Sequence, residues 1–195
     1  MGLFSIMFSW YQKYKDGWVG NVVSILGGFL IALIIYNSLI FVLGTSTPLV
    51  SVFSGSMEHD YFDAQTGYHS GIFGVALDDY WVSYGNWYDE KEIGIEEFRE
   101  FPVSGGFKKG DMLIVVRGDD LEVGDVIVFD SGRFNYPIIH RIVEVSEEGY
   151  KTKGDHNPVA DGWVLTDEQV YGEAVVVIPL VGWVKVLFSE FTGIM

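Results

Sequence analysis

With 195 residues, 49% of them hydrophobic and 16% aromatic, the chain has material for one folded domain with a core and falls outside the disordered class. A formal charge of −15 offers neither nucleic acid nor an anionic membrane surface any electrostatic attraction. The absence of cysteine excludes disulfides, thiolate metal sites and a cysteine nucleophile, and leaves the compartment open.

Residues 1–17 mix aromatics with lysines in "LFSIMFSWYQKYK", a pattern suited to a short amphipathic helix along the bilayer interface. Residues 18–43 then run for 26 positions without a charge, "WVGNVVSILGGFLIALIIYNSLIFVL". As a helix this run is ~39 Å long, enough to cross a bilayer with tilt and longer than an ordinary core helix. It is too long for a cleaved leader and no A-x-A site follows it, so it reads as an uncleaved single-pass signal anchor. Lys13 and Lys15 precede it, which places the N-terminus in the cytoplasm and residues 44–195 outside the cell membrane.

Beyond Gly44 short β-rich runs take over: "DMLIVV" (111–116), "DVIVFD" (125–130), "PIIHRIVEVS" (137–146), "YKTKGD" (150–155) and "EAVVVIPL" (173–180). Glycine turns separate them, and "KKGDMLIVV" is echoed by "EVGDVIVFD", so two similar turn-into-strand units are expected in an all-β domain. Residues 58–106 differ, with eleven acids, two bases, eleven aromatics and no clear period. They read as an acidic surface insertion packed by its own aromatics, with a cap over a substrate or partner site as the alternative. His59, Asp60, Asp63 and His69 fall close together there, but their spacing fits no metal-site pattern, and no metal or cofactor is expected. The tail "AVVVIPLVGWVKVLFSEFTGIM" is broken by Pro179, Gly182 and Lys185 and reads as a strand followed by an amphipathic or interfacial segment.

The chemistry centres on Ser54-Gly55-Ser56-Met57, shortly after the apolar run. A serine acts as nucleophile only with a base to take its proton and donors for the oxyanion. His140 lies in the apolar run "YPIIHRIVEV", and Asp155 and Asp161 lie in the loop "TKGDHNPVAD", where a carboxylate could orient an imidazole. Each also has a plain reading: a turn, a buried histidine with a satisfied bond, a turn-making aspartate. His156 is a rival base.

The order of these pieces carries a resemblance. An anchor, then S-G-S-M, a G-D turn into a strand, H-R, and K-G-D-x-N with an aspartate six past its Asp resembles the type I signal peptidases, in their archaeal and endoplasmic-reticulum branch. It covers the anchor, residues 51–58 and roughly residues 108–182. The resemblance implies a mostly β, signal-peptidase-like catalytic domain behind a single transmembrane helix. It also implies a serine endopeptidase that removes signal peptides from preproteins, cutting after a small residue at the outer membrane surface. Ser56 matches the nucleophile, His140 the base where the bacterial branch has lysine, and Ser54 the oxyanion donor alongside the Ser56 amide. Asp161 matches the acid that orients the histidine and is favoured; Asp155 matches the other acid of that loop and stays open as the third member. The implied partners are preprotein signal peptides and the lipid bilayer, with the secretion translocon a further candidate and no nucleic acid. Two departures stand out: His59 replaces the proline of S-G-S-M-x-P, and about fifty residues intervene before the G-D strand. The alternatives are a catalytically silent anchored assembly protein of the same fold, and a related protease with a narrow set of surface-protein precursors.

Overall fold

A computed structural model of the chain describes residues 17–60, 62–63, 68–69 and 75–193, with isolated positions among the first sixteen. Most of the expected interfacial segment at residues 1–17 lies outside the described residues. The chain divides into two compact units, Met1–Val42 and Leu43–Met195.

The first unit is built on helix α1, Trp18–Leu43. It is long and apolar enough to cross a membrane, and its hydrophobic side chains are solvent-facing nearly throughout. Its two polar residues near the end bond back to their own helix: Asn37 Nδ2 donates to the Leu33 carbonyl and Ser38 Oγ to the Ile34 carbonyl, each at 2.8 Å. That leaves neither group unbonded in an apolar surrounding.

The second unit is organised by a six-stranded antiparallel sheet in the order β1-β4-β8-β5-β6-β7. The strands are β1 Leu49–Ser51, β4 Met112–Val116, β5 Val126–Phe129, β6 Ile138–Ser146, β7 Gly149–Lys153 and β8 Val170–Ile178. Five of them fall on the β-rich runs of the sequence; β1, the short edge strand beside β4, is not among those runs. β5 shows why its run is unbroken: all four residues are buried, with Val126 and Val128 joining a core of Val52, Met57, Leu113 and Val115, while Ile127 and Phe129 join Ile142 and Leu165. Alternation sends neighbouring side chains to opposite faces, and here both faces are covered.

The echoed motif has a physical basis. Gly110 and Gly124 both take a positive φ, 91° and 105°, and a side chain on either would strike a ring, that of Trp183 or Phe101. The aspartate after each glycine accepts an amide from three residues earlier: Lys108 N to Asp111 Oδ2 at 3.0 Å and Glu122 N to Asp125 Oδ2 at 2.8 Å. Two copies of one capped turn thus launch β4 and β5, the two strands that flank β8.

The insertion, whose sequence shows no clear period, contains regular structure. It holds a two-stranded ribbon, β2 Phe62–Asp63 with β3 Tyr68–His69, then helix α2 Leu77–Asp89 and helix α3 Ile95–Glu100. Its aromatics do pack together, with Tyr80, Tyr88 and Phe98 wholly buried, but they also close over Val143 of β6, so the insertion is joined to the sheet. After β8 the chain turns into helix α4, Trp183–Thr192, as an amphipathic segment: Val186 and Ser189 face inward while Val184, Leu187, Phe188 and Phe191 face out.

Leu113 has no solvent exposure. Leu113→Ala is expected to lower stability by about 3 kcal/mol through lost transfer energy and a residual cavity, whereas Val184→Ala, at a mostly exposed position, changes it by less than about 0.5 kcal/mol. Urea denaturation of the two variants beside the parent checks both.

Candidate active site

The segment after β1 runs alongside residues 107–111: Val52 N donates to the Asp111 carbonyl at 2.9 Å, Gly110 N to the Val52 carbonyl at 3.0 Å, and Phe107 N to the Met57 carbonyl at 3.0 Å. Met57 is a peg in the core, 1% exposed, so the turn closed by Glu58 N to the Gly55 carbonyl is held from below. Ser54 and Ser56 remain at the surface of that turn with their hydroxyl oxygens 3.3 Å apart.

β6 presents His140 and Arg141 in succession, and strand alternation sends them to opposite faces. His140 is 6% exposed, and its Nδ1 lies 2.6 Å from Asp161 Oδ2. A carboxylate only accepts, so Nδ1 carries a hydrogen, and in the neutral ring Nε2 is then the acceptor. Asp161 is oriented in turn. Thr152 Oγ1 donates to the same Oδ2 at 2.7 Å, and the Asp161 amide donates to the Thr152 carbonyl at 2.8 Å. The loop that leaves β7 therefore curls back upon its own strand to deliver the carboxylate.

Gly154 brings the serine turn and the histidine together. A Cβ built on it would lie 2.7 Å from the Ser56 carbonyl oxygen and 2.9 Å from His140 Nε2, so both crowd one point that only a glycine leaves open. The His156 amide donates to that same Ser56 carbonyl at 2.9 Å. Ser56, His140 and Asp161, singled out in the sequence, thus meet around one loop.

No protein-family model matches the chain. Among curated proteins it is 33% identical over 99 residues to the signal peptidase complex catalytic subunit SEC11 of Colletotrichum graminicola, covering 44% of this chain and 58% of that protein. It is 26% identical over 175 residues to SEC11C of Homo sapiens, covering 82% of this chain and 67% of the relative. The chain is a homologue of these signal peptidase catalytic subunits. It spans 58% and 57% of the length of the fungal relatives.

In this signal peptidase homologue the two loop aspartates have different surroundings. Asp155 is fully buried and meets Arg141 on the other side of β6. Its Oδ1 accepts from Arg141 Nε at 3.0 Å and Tyr88 Oη at 2.9 Å; its Oδ2 accepts from Arg141 Nη2 at 2.8 Å and His59 Nε2 at 2.8 Å. Burial alone would raise the Asp155 carboxyl, but the guanidinium and His59 outweigh it and hold the group well below the usual carboxylate range. Arg141 spends its remaining donors on the carbonyls of Pro102, Gly124 and Val103. Lys153, beside them, bonds to the Gly154 and Asp155 carbonyls, and burial pushes its ammonium down to about 8.

His59 is accordingly a partner of Asp155; the side chains of Asp63 and His69, its companions in the weighed metal set, lie outside the described residues. No group of three potential ligands able to hold a metal occurs among the described residues. His156, the rival base, gives Ser56 its backbone amide while its ring lies by Asp60, Nδ1 to Oδ1 3.1 Å, and by Tyr84. Thr152 escaped the sequence reading, since a threonine in an alternating strand carries no signal of its own, and Gly154 was read only as the turn glycine of K-G-D, not as the point where Ser56 and His140 approach. Tyr80, Tyr84 and Tyr88 escaped it too, although their four-residue spacing was visible in "LDDYWVSYGNWYD".

Arg141→Met strands a buried carboxylate and is expected to lower stability by roughly 3–5 kcal/mol at neutral pH. In the parent, Asp155 has a folded pKa below its unfolded value, so its contribution is complete above pH ~4 and is lost only as pH falls toward the folded value. Without Arg141, burial reverses the shift; the folded state then binds the extra proton, and the deficit shrinks as pH falls from 7 to 5. Urea denaturation of both proteins at the two pH values checks the sign, and an equal deficit at both would contradict it.

Proposed function

We propose that the chain is a membrane-bound serine endopeptidase that removes N-terminal signal peptides from secreted and membrane preproteins. The observation that carries this reading is His140, with Nδ1 engaged by Asp161 at 2.6 Å and Nε2 beside Gly154 and the Ser56 turn. The kinship with signal peptidase catalytic subunits supports the substrate class. In the first step the Ser56 hydroxyl adds to the carbonyl before the scissile bond, and its proton passes to His140 Nε2. Asp161 stabilises the resulting imidazolium. The Ser56 amide and the Ser54 hydroxyl face the oxyanion. His140 then gives its proton to the departing amine, and water hydrolyses the acyl-enzyme by the same route in reverse. Asp155 serves as the structural counter-ion of Arg141, and Asp161 as the third member of the triad.

Helix α1 anchors the enzyme in the cell membrane, N-terminus in the cytoplasm and catalytic domain outside. A substrate whose own apolar helix lies in that bilayer meets it at raised effective concentration without further contacts. The cut follows a small residue where the peptide leaves the membrane, and the secretion translocon is the partner that would deliver it.

The test is incubation of the full chain in detergent with a preprotein carrying an A-x-A site. Cleavage at that site is expected, and Ser56→Ala and His140→Ala should each abolish it; turnover that survives both substitutions would sink the assignment. Asp161→Asn should lower kcat by roughly 10⁴-fold, and Asp155→Asn should act first on stability. Gly154→Ala, whose methyl would wedge between Ser56 and His140, should lose activity while the sheet still unfolds cooperatively; unaltered turnover in that variant would contradict the convergence of the two residues.

A further inference from the structure

Helix α2 carries tyrosines at 80, 84 and 88, and four-residue spacing puts them in one row. All three hydroxyls end at the loop after β7 or beside it. Tyr80 Oη donates to the Asp155 carbonyl at 2.8 Å and Tyr88 Oη to Asp155 Oδ1 at 2.9 Å. Tyr84 Oη donates to Asp60 Oδ1 at 3.1 Å and lies 3.4 Å from His156 Nε2. His59 completes the set. Its ring stacks on Tyr80 with centroids 3.8 Å apart and planes 8° apart, and its Nε2 lies 2.8 Å from Asp155 Oδ2.

The stretch these groups hold is the one that serves the serine turn and the histidine. The His156 amide bonds the Ser56 carbonyl at 2.9 Å, and the Asp155 amide donates to Met57 Sδ at 3.3 Å. Gly154, one residue before Asp155, separates the Ser56 carbonyl from His140 Nε2. Packing alone would not call for this chemistry. Tyr80 and Tyr88 have no solvent exposure, and phenylalanine would fill the same space without needing a buried partner for its hydroxyl. Two tyrosines and a histidine instead direct their donors at one residue of the loop, and the third tyrosine reaches the next.

Resting on the peptidase reading above, we propose that the helical insertion is a positioning device for the active site: Tyr80, Tyr84, Tyr88 and His59 fix residues 154–157 and thereby set the spacing of Ser56 and His140. These residues touch neither the serine hydroxyl nor the histidine ring that carries the chemistry; they act through the loop.

The experiment uses the full chain in detergent and two readouts. One is turnover of the A-x-A preprotein; the other is amide hydrogen exchange of residues 153–161, measured in a Ser56→Ala background so that it needs no activity. The Tyr80→Phe/Tyr88→Phe double variant is expected to lose kcat on the order of 100-fold with KM within about two-fold, the cost of a small displacement of reacting groups. Exchange should rise in residues 153–161 while β4, β5 and β8 keep parental protection. His59→Phe keeps the stack and removes the donor, and should also lower kcat; His59→Gln keeps an N–H donor and should recover most of it. Parental kcat in the folded double variant would overturn the proposal. Unchanged loop exchange would do so independently, as would exchange rising equally through sheet and loop, the mark of a stability effect alone. Failure of the parent to cleave, or cleavage by Ser56→Ala, would instead overturn the peptidase reading, and loop exchange would still report whether the insertion fixes the loop.

Discussion

Arg141 and Asp155 are both shut off from water, and neither could carry its charge there alone. Removing two such ions from solvent costs several kcal/mol each, and the pair is tolerable only because every remaining donor and lone pair is occupied. Asp155 accepts four hydrogen bonds on its carboxylate, and Arg141 spreads its donors over that carboxylate and three carbonyls. Those carbonyls belong to Pro102 and Val103 at the end of the insertion and to Gly124 in the turn that launches β5. One guanidinium therefore ties the insertion, a core strand and the loop after β7 to a single point.

That point lies directly behind the candidate active site. His140 precedes Arg141 in β6, and strand alternation turns one toward Asp161 and the serine turn and the next toward Asp155. Gly154 precedes Asp155 in the loop with a similar division: one residue leaves room between Ser56 and His140, the next fixes the chain. One peptide unit joins each member of the buried pair to a residue of the candidate site, Arg141 to His140 and Asp155 to Gly154. The arrangement explains why a charged network, weak as a source of net stability, stands where geometry must be held closely.

The strands, the apolar helix and the order of the chemical groups were legible in the sequence because each rests on a local signal: an uninterrupted apolar run, alternation closed by a glycine turn, a short polar motif. The choice between Asp155 and Asp161 rested on resemblance, since a spacing of six in a loop does not determine its path. Here that path is set by the bonds of Asp161 to Thr152, two residues upstream of Gly154, which no motif marks. The insertion shows no clear period in the sequence for a different reason. Its helix turns on tyrosines rather than aliphatic residues, so a search for an apolar stripe finds aromatics scattered among acids. The row at 80, 84 and 88 is amphipathic atom by atom, with rings buried in a cluster and hydroxyls aimed at polar partners.

The departure at His59 belongs to the same logic. The family pattern places a proline two residues past the methionine, and a proline has neither a side-chain donor nor a backbone N–H. Histidine at that position supplies an N–H to Asp155 and a flat ring for Tyr80 of α2 to stack upon. Without α2 the imidazole would lose the Tyr80 ring stacked on it, and without the imidazole the Asp155 Oδ2 would keep only its bond from Arg141. The substitution and the insertion are therefore two halves of one structural solution. In the stretch "EHDYFD", which breaks the motif in the sequence, His59 bonds Asp155 and Asp60 meets Tyr84 and His156, so its first residues join α2 to the loop after β7.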